Sequence, residues 1–226
     1  MICIDLRICN GLSEKQEINQ TRCVLNVMLA SLKILDLPFN PSPGTYSLVN
    51  IKDLDPHMPV EMKYATENNF LKKKVYQTNE CFLQRQVALK LTAAKTYLEK
   101  RGLVLKCLDC YRPLSVQKEM WKIKPDTRYV ANPKTGSSHN RGIAVDVTLV
   151  DALGRELEMP TEFDEFSKEA SRDYDKLPDW QKENRDLLRK AMERFGFTSM
   201  RTEWWHFEGA SSKDYPLLTE SLSDIE

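Results

Sequence analysis

Residues 137–150 read Ser-Ser-His-Asn-Arg-Gly-Ile-Ala-Val-Asp-Val-Thr-Leu-Val. From Gly142 to Val150 the alternation is strict. Ile143, Val145, Val147 and Leu149 share one face, and Ala144, Asp146 and Thr148 share the other. A period of two is the signature of a strand with two distinct faces. The second face is small and polar, as the wall of a pocket would be. A carboxylate at Asp146 inside such a strand needs a partner or a metal, because burying an unpaired charge is expensive. His139 precedes Gly142, whose backbone freedom permits a sharp approach to the strand.

The elements around this strand decide the fold class. Leu48 to Leu54 alternates like a short strand. Cys81 to Lys100 carries Phe82, Val87, Leu89, Leu91, Ala94 and Leu98 among polar residues and predicts an amphipathic helix stopped by Gly102. Leu103 to Leu108 reads as a strand, broken at Arg112-Pro113, and Leu114 to Trp121 as a helix. Residues 151–186 are rich in acid and read as loop with short helices. Pro178 opens a helix that runs to about Phe195 and closes at Gly196. Met200 to Glu208 is a last strand or extended turn. Helices and strands follow one another without βαβ regularity, so the expectation is an α+β fold with a small, mainly antiparallel sheet flanked by helices.

Residues 1–45 differ from the rest. An apolar stretch within Arg22–Leu37 follows a polar segment, and Pro38, Pro41, Pro43 and Gly44 read as a linker. The stretch suits an amphipathic helix or a divergent export signal; it is interrupted by Asn26 and Lys33 and lacks a clear small-residue cleavage site. The domain expected to carry the function is 46–226. Localisation follows the fate of residues 22–37: cytoplasmic, or exported if they act as a signal.

Composition bounds the function. The chain has 226 residues, 41% of them hydrophobic, which suits one large domain or a domain with an extension. Lys+Arg and Asp+Glu both total 33. A balanced charge argues against a dedicated nucleic-acid binder. No stretch reaches the roughly 18 to 20 apolar residues of a transmembrane helix. The six cysteines are scattered through a long chain, and the expectation is mostly reduced, partly buried thiols. Cys107 and Cys110 form a CxxC inside an apolar run, with no second pair to complete a four-cysteine zinc site.

Two segments concentrate the chemistry. One is Ser137–Asp146; the other is Glu203-Trp-Trp-His-Phe-Glu208. Together they offer His139, Asp146 and His206 as metal ligands and Glu203 as a fourth, non-ligating carboxylate. A catalytic zinc needs three protein ligands and one open position. It lowers the pKa of water and polarises a carbonyl, while a nearby carboxylate moves the proton. There is a geometric condition. On a regular strand Glu203 and His206 would face opposite sides, so the segment must bend or bulge there. Arg112 follows a strand end. It suits either stabilisation of an oxyanion or a structural ion pair, with Asp109 as one candidate partner. The third histidine, His57, sits in a turn-like Asp-Pro-His-Met-Pro context and reads as a surface residue.

Ser137-x-His139-x-x-Gly142-x-Ala144-x-Asp146 with Glu203-x-x-His206 resembles the zinc D,D-peptidase superfamily, whose fold is also seen in Hedgehog signalling domains. Lys63-Tyr-Ala-Thr-Glu-Asn-Asn-Phe70, Tyr111-Arg-Pro113 and the doubled Trp204-Trp205 narrow the resemblance to VanX-type D-alanyl-D-alanine dipeptidases, from about residue 48 to near the C-terminus. The resemblance implies one zinc per chain on His139, Asp146 and His206. It implies Glu203 as general base and acid and Arg112 as stabiliser of the transition state. Ser137, Tyr64, Tyr76 and Asp164 fall near positions that hold the termini of a small D,D-dipeptide. A D,D-carboxypeptidase acting on peptidoglycan stem peptides shares the same zinc-site residues, and a non-catalytic zinc module is the alternative from another class. No protein partner is inferable. One departure is Cys110, where a glycine is common before Tyr-Arg-Pro; a larger side chain there bears on the position of Arg112.

Overall fold

The computed structural model describes residues 46–127 and 129–225. The expected helix or signal and the linker of the first 45 residues lie outside them, as do Cys3, Cys9 and Cys23. Strands β1 (Leu48–Asn50) and β2 (Phe82–Gln84) form a two-stranded antiparallel sheet. The main sheet is four-stranded and antiparallel, with β3 (Leu103–Asp109), β4 (Ala144–Asp151), β5 (Thr198–Ser199) and β6 (His206–Glu208) in the order β3-β4-β6-β5. Helices α1 (Ile51–Leu54), α2 (Arg85–Glu99), α3 (Leu114–Ile123) and α4 (Asp179–Arg194), with short 3-10 turns at Lys63–Ala65, His139–Arg141 and Lys168–Ala170, complete the described elements. This is the α+β architecture expected. Helices α2 and α4 pack on the sheet and on each other. Among the described residues no helix is long and apolar enough to cross a membrane.

Strand β4 is the centre of the molecule. Seven of its eight residues are buried, and Ile143, Val145, Val147 and Leu149 all enter the hydrophobic core. Its alternation places Asp146 and Thr148 on the other face. Helix α2 buries Val87, Ala88, Leu91, Ala94 and Leu98, a helical stripe. Leu89, expected on that stripe, is exposed. The buried Lys95 on α2 is neutralised by Asp55 (2.7 Å) and Glu99 (2.8 Å).

Three expected elements divide. Leu48–Leu54 is strand only to Asn50, because the Asn50 side chain accepts the Lys52 amide (3.1 Å) and caps a turn of helix. Cys81–Lys100 is helix only from Arg85; Phe82, Leu83 and Gln84 pair instead with β1. Met200–Glu208 splits into an irregular run between β5 and β6. The boundary at Gly196 holds, with the positive φ of +77° that ends a helix.

The cysteines overturn an expectation. Cys81 and Cys110 form a disulfide across 29 residues, and among the described residues Cys107 is left as a free, buried thiol. Burial pushes that thiol up to about 12, so it stays protonated. The CxxC spacing is therefore not the pairing; the fold brings Cys81 to within 5.3 Å (Cα–Cα) of Cys110.

Candidate active site

Strand pairing does the first part of the assembly. Asp146 on β4 lies opposite His206, the first residue of β6. The turn ahead of β4 supplies His139. It is a short 3-10 turn over His139–Arg141, closed by Gly142 at φ +68°. A Cβ at Gly142 would stand 2.4 Å from the Leu48 side chain, so both conformation and space require glycine. The turn is stitched internally and outward. Ser137 N–H donates to Asn140 Oδ1 (2.7 Å), and Asn140 Nδ2 donates to the Arg112 carbonyl (2.8 Å). Arg112 N–H in turn donates to the His139 carbonyl (3.1 Å).

The result is a tight triangle. His206 Nδ1 is 3.0 Å from Asp146 Oδ1, His139 Nε2 is 3.3 Å from the same oxygen, and the two nitrogens are 3.1 Å apart. All three residues are buried. A tetrahedral ion bound at 2.0–2.1 Å spaces its ligands by about 3.3 Å. His139 Nδ1 can only donate to the Cys110 carbonyl (2.8 Å), which leaves a lone pair on Nε2 facing the triangle. Although burial alone would raise it, the Asp146 carboxyl is held well below the usual range by His139 and His206. One anionic oxygen and two imidazole nitrogens converging on one point fit a divalent cation, and these are candidate metal-binding groups.

Glu203 sits in the irregular run before β6, where the bend demanded by its spacing from His206 occurs. Arg172 holds that run by its backbone. Its Nε donates to the Met200 carbonyl (2.7 Å), and one Nη donates to the carbonyls of Trp204 (2.8 Å) and His206 (3.2 Å). Its own amide donates to the Arg201 carbonyl (2.9 Å). Trp204 and Trp205 are buried edge to face, and Trp204 Nε1 donates to Thr161 Oγ1 (3.0 Å). Burial pushes the Glu203 carboxyl above its ordinary value, with the Asp146 charge adding to it and His206 opposing. A carboxylate so raised takes a proton more readily than one in water.

Arg112 answers both alternatives read from its position. It is ion-paired to Asp109 (2.6 Å), and it also lines the cavity. Its second terminal nitrogen donates to Gln117 Oε1 (3.0 Å), and its plane lies 5.2 Å from the Tyr64 ring centre. Its Nε is buried without a hydrogen-bond partner.

These groups share one cavity of about 220 Å³. His139, Asp146, His206, Glu203, Arg112, Ser137, Tyr64 and Asp164 all line it, with Phe70, Tyr129, Phe166 and Trp205 as apolar wall. Asp164 stands at a positive φ of +61°, unusual for a residue with a side chain. Its carboxyl accepts the Tyr64 hydroxyl (2.8 Å). Burial, and then the Asp146 charge, raise that carboxyl well above the usual range. Tyr76 is placed differently from the other substrate-side candidates. It does not line the cavity; its hydroxyl donates to Asp109 Oδ1 (2.6 Å). His57 is exposed, as expected. Gln117 and Arg172 escaped sequence reasoning, and Asp109 entered it only as one candidate partner of Arg112. Asp109 left a trace, an acid ending an apolar strand; Arg172, in an acid-rich loop, left none.

A buried two-histidine, one-carboxylate cluster beside a raised glutamate and a buried guanidinium defines the site class of a metal-dependent peptidase. The chain belongs to the Peptidase_M15 family, described as D-ala-D-ala dipeptidase, whose model matches residues 45–221. It is 35% identical over 179 residues to a D-alanyl-D-alanine dipeptidase of Escherichia coli, covering 79% of this chain and 93% of that protein. It is 31% identical to one from Enterococcus faecalis, covering 66% and 84%. Among solved structures, a vancomycin resistance D,D-dipeptidase, VanXYg, in complex with a D-Ala-D-Ala phosphinate analog, aligns with 74% of this chain and 68% of its own at 18% identity and a TM-score of 0.38.

Proposed function

We propose that this protein is a zinc-dependent dipeptidase that hydrolyses D-Ala-D-Ala to two molecules of D-Ala. The observation that carries the reading is the triangle of His139 Nε2, Asp146 Oδ1 and His206 Nδ1, with edges of 3.0 to 3.3 Å, in the same cavity as Glu203 and Arg112. Zinc bound by these three residues supplies Lewis acidity, which acidifies water and polarises the scissile carbonyl. Glu203 takes the proton of the attacking water and returns it to the leaving amine. Arg112, whose buried guanidinium keeps an unpaired Nε–H, stabilises the oxygen that gains charge.

The ends of the cavity suit a zwitterion. Among the described residues Asp164 feels the Arg112 charge but forms no ion pair, and an ammonium group of the substrate provides one. Tyr64 holds that carboxyl in place through its hydroxyl. The Ser137 hydroxyl is free to donate to the substrate carboxylate, while its oxygen accepts the His139 amide (3.2 Å). Holding both termini disfavours longer peptides, whose extra amides would be buried unpaired. Residues 46–226 carry this site, and 1–45 form an extension; a chain starting at Tyr46 keeps full activity on this reading.

The deciding assay measures D-Ala release by zinc-loaded protein from free D-Ala-D-Ala and from an N-blocked longer peptide ending in D-Ala-D-Ala. Release from the free dipeptide alone is expected. Preference for the longer peptide would make the protein a carboxypeptidase and overturn the pairing of Asp164 with the substrate amine.

A further inference from the structure

We infer that Asp109 is a positioning residue for the reaction: it aims the Arg112 guanidinium, and Tyr76 holds Asp109 in turn. Asp109 acts through Arg112, so its role stands on the one proposed above for that guanidinium.

Asp109 is completely buried at the end of β3. The β3–β4 register slips between Cys107 and Asp109, which sets Asp109 opposite Asp146. Such a bulge re-aims the side chains that follow it. Each Asp109 oxygen has work. Oδ2 accepts from Arg112 Nη2 (2.6 Å); Oδ1 accepts from the Tyr76 hydroxyl (2.6 Å) and the Cys110 amide (3.0 Å). Gln117 completes the clamp. Its Nε2 donates to the Ala131 carbonyl (2.8 Å), which turns its oxygen toward Arg112 Nη1. Each terminal nitrogen of Arg112 thus spends one of its two N–H donors on the clamp, and Nε has no hydrogen-bond partner.

The alternative resting places for Arg112 explain why a clamp is needed. Asp164 and Glu203 line the same cavity, and each carries the opposite charge when ionised. An unclamped guanidinium would pair with one of them. It would then block the amine-binding carboxyl or neutralise the base. Asp109 offers a fully buried partner outside the cavity lining, through a single short charge-assisted bond of 2.6 Å. Tyr76 therefore serves the reaction from behind Asp109 without touching the substrate.

The test is a double-mutant cycle on full-length, zinc-loaded protein with D-Ala-D-Ala as substrate. Asp109→Asn, Arg112→Ala and the double variant are compared for kcat, KM, bound zinc and melting temperature. Asp109→Asn is expected to lower kcat roughly 100-fold, the scale of losing an oxyanion donor, with KM within about threefold and one zinc retained. In the Arg112→Ala background the same substitution should cost less than about twofold. Losses that multiply in the double variant, or an Asp109→Asn enzyme with parental kcat, would overturn the inference. A parental kcat in Arg112→Ala alone would instead remove the role of Arg112, a failure visible before the cycle is closed. Should Asp109→Asn not fold, Tyr76→Phe replaces it in the cycle; it is expected to lower kcat by about tenfold or less in the parent and to have no effect once Arg112 is gone. A Tyr76→Phe effect equal in both backgrounds would assign Tyr76 and Asp109 to the scaffold alone.

Discussion

The two walls of the cavity are each held by an arginine, Arg112 buried and Arg172 half-buried, in opposite ways. On the β3 side, Arg112 binds side chains, Asp109 and Gln117, and the adjacent residue is covalently tied through Cys81–Cys110. On the β6 side, Arg172 binds main chain, taking the carbonyls of Met200, Trp204 and His206. The first wall presents a charge to the cavity and needs a counter-charge behind it. The second presents Glu203 and His206 from a run with no regular ladder, and its carbonyls need a donor. Arg172 meets that need without a carboxylate partner, and burial lowers its pKa to about 10. The difference teaches how each wall is fixed: by ion pair and disulfide on one side, by a single polydentate side chain on the other.

The largest effects come from the groups both walls converge on. Removing the metal with a chelator should abolish D-Ala release, and one equivalent of zinc per chain should restore it; activity that survives metal-free dialysis would sink the metal reading. Glu203→Ala should retain zinc yet lose about 10³-fold or more in turnover. Near-normal turnover in that variant would take the base away from the β6 wall. Arg172→Met breaks the comparison directly. It should lower kcat roughly 100-fold, because Glu203 and His206 shift together, and lower thermal stability as well. A stable Arg172→Met protein with unchanged kcat would mean the aromatic packing of Trp204 and Trp205 suffices.

Smaller effects sharpen the β3 side. Replacing Cys81 and Cys110 together by serine and glycine should cost about 3 kcal/mol in unfolding free energy, given the 29-residue separation they span. Activity should fall less than in Arg172→Met, since the Cys110 carbonyl that orients His139 belongs to the backbone. The smallest effect concerns Glu61, which pairs with Lys63 and with Lys106 on β3. Burial pushes its carboxyl up, but the two lysines outweigh this and hold it below the usual value. A depressed folded value means stability present above the unfolded pKa and lost as pH falls through the folded one. Glu61→Gln should therefore show a small stability deficit at neutral pH that closes in acid, read from melting curves at both pH values.

The legible parts of the site lie within short stretches of chain. His139, Gly142 and Asp146 could be read because a turn followed by a period-two strand forces their relation locally. The bend between Glu203 and His206 could be read because regular strand geometry forbids their convergence. The placement of Tyr76 against Asp109 was not legible, since nothing local distinguishes a tyrosine facing a cavity from one facing a carboxylate behind it. The Cys81–Cys110 bond stayed hidden beneath the nearer CxxC spacing.

By itself, then, the sequence pointed to the α+β class through periodicity and turn signals, and to His139, Asp146 and His206 as candidate ligands with Glu203 beside them through residue type and the resemblance those motifs carry. Tertiary structure alone decided which arginine grips the Glu203 run and which cysteines join, and it settled that Arg112 pairs with Asp109. The first two sets of partners are brought together by strand register and core packing, and contacts across 28 and 29 residues leave no periodic mark on the chain.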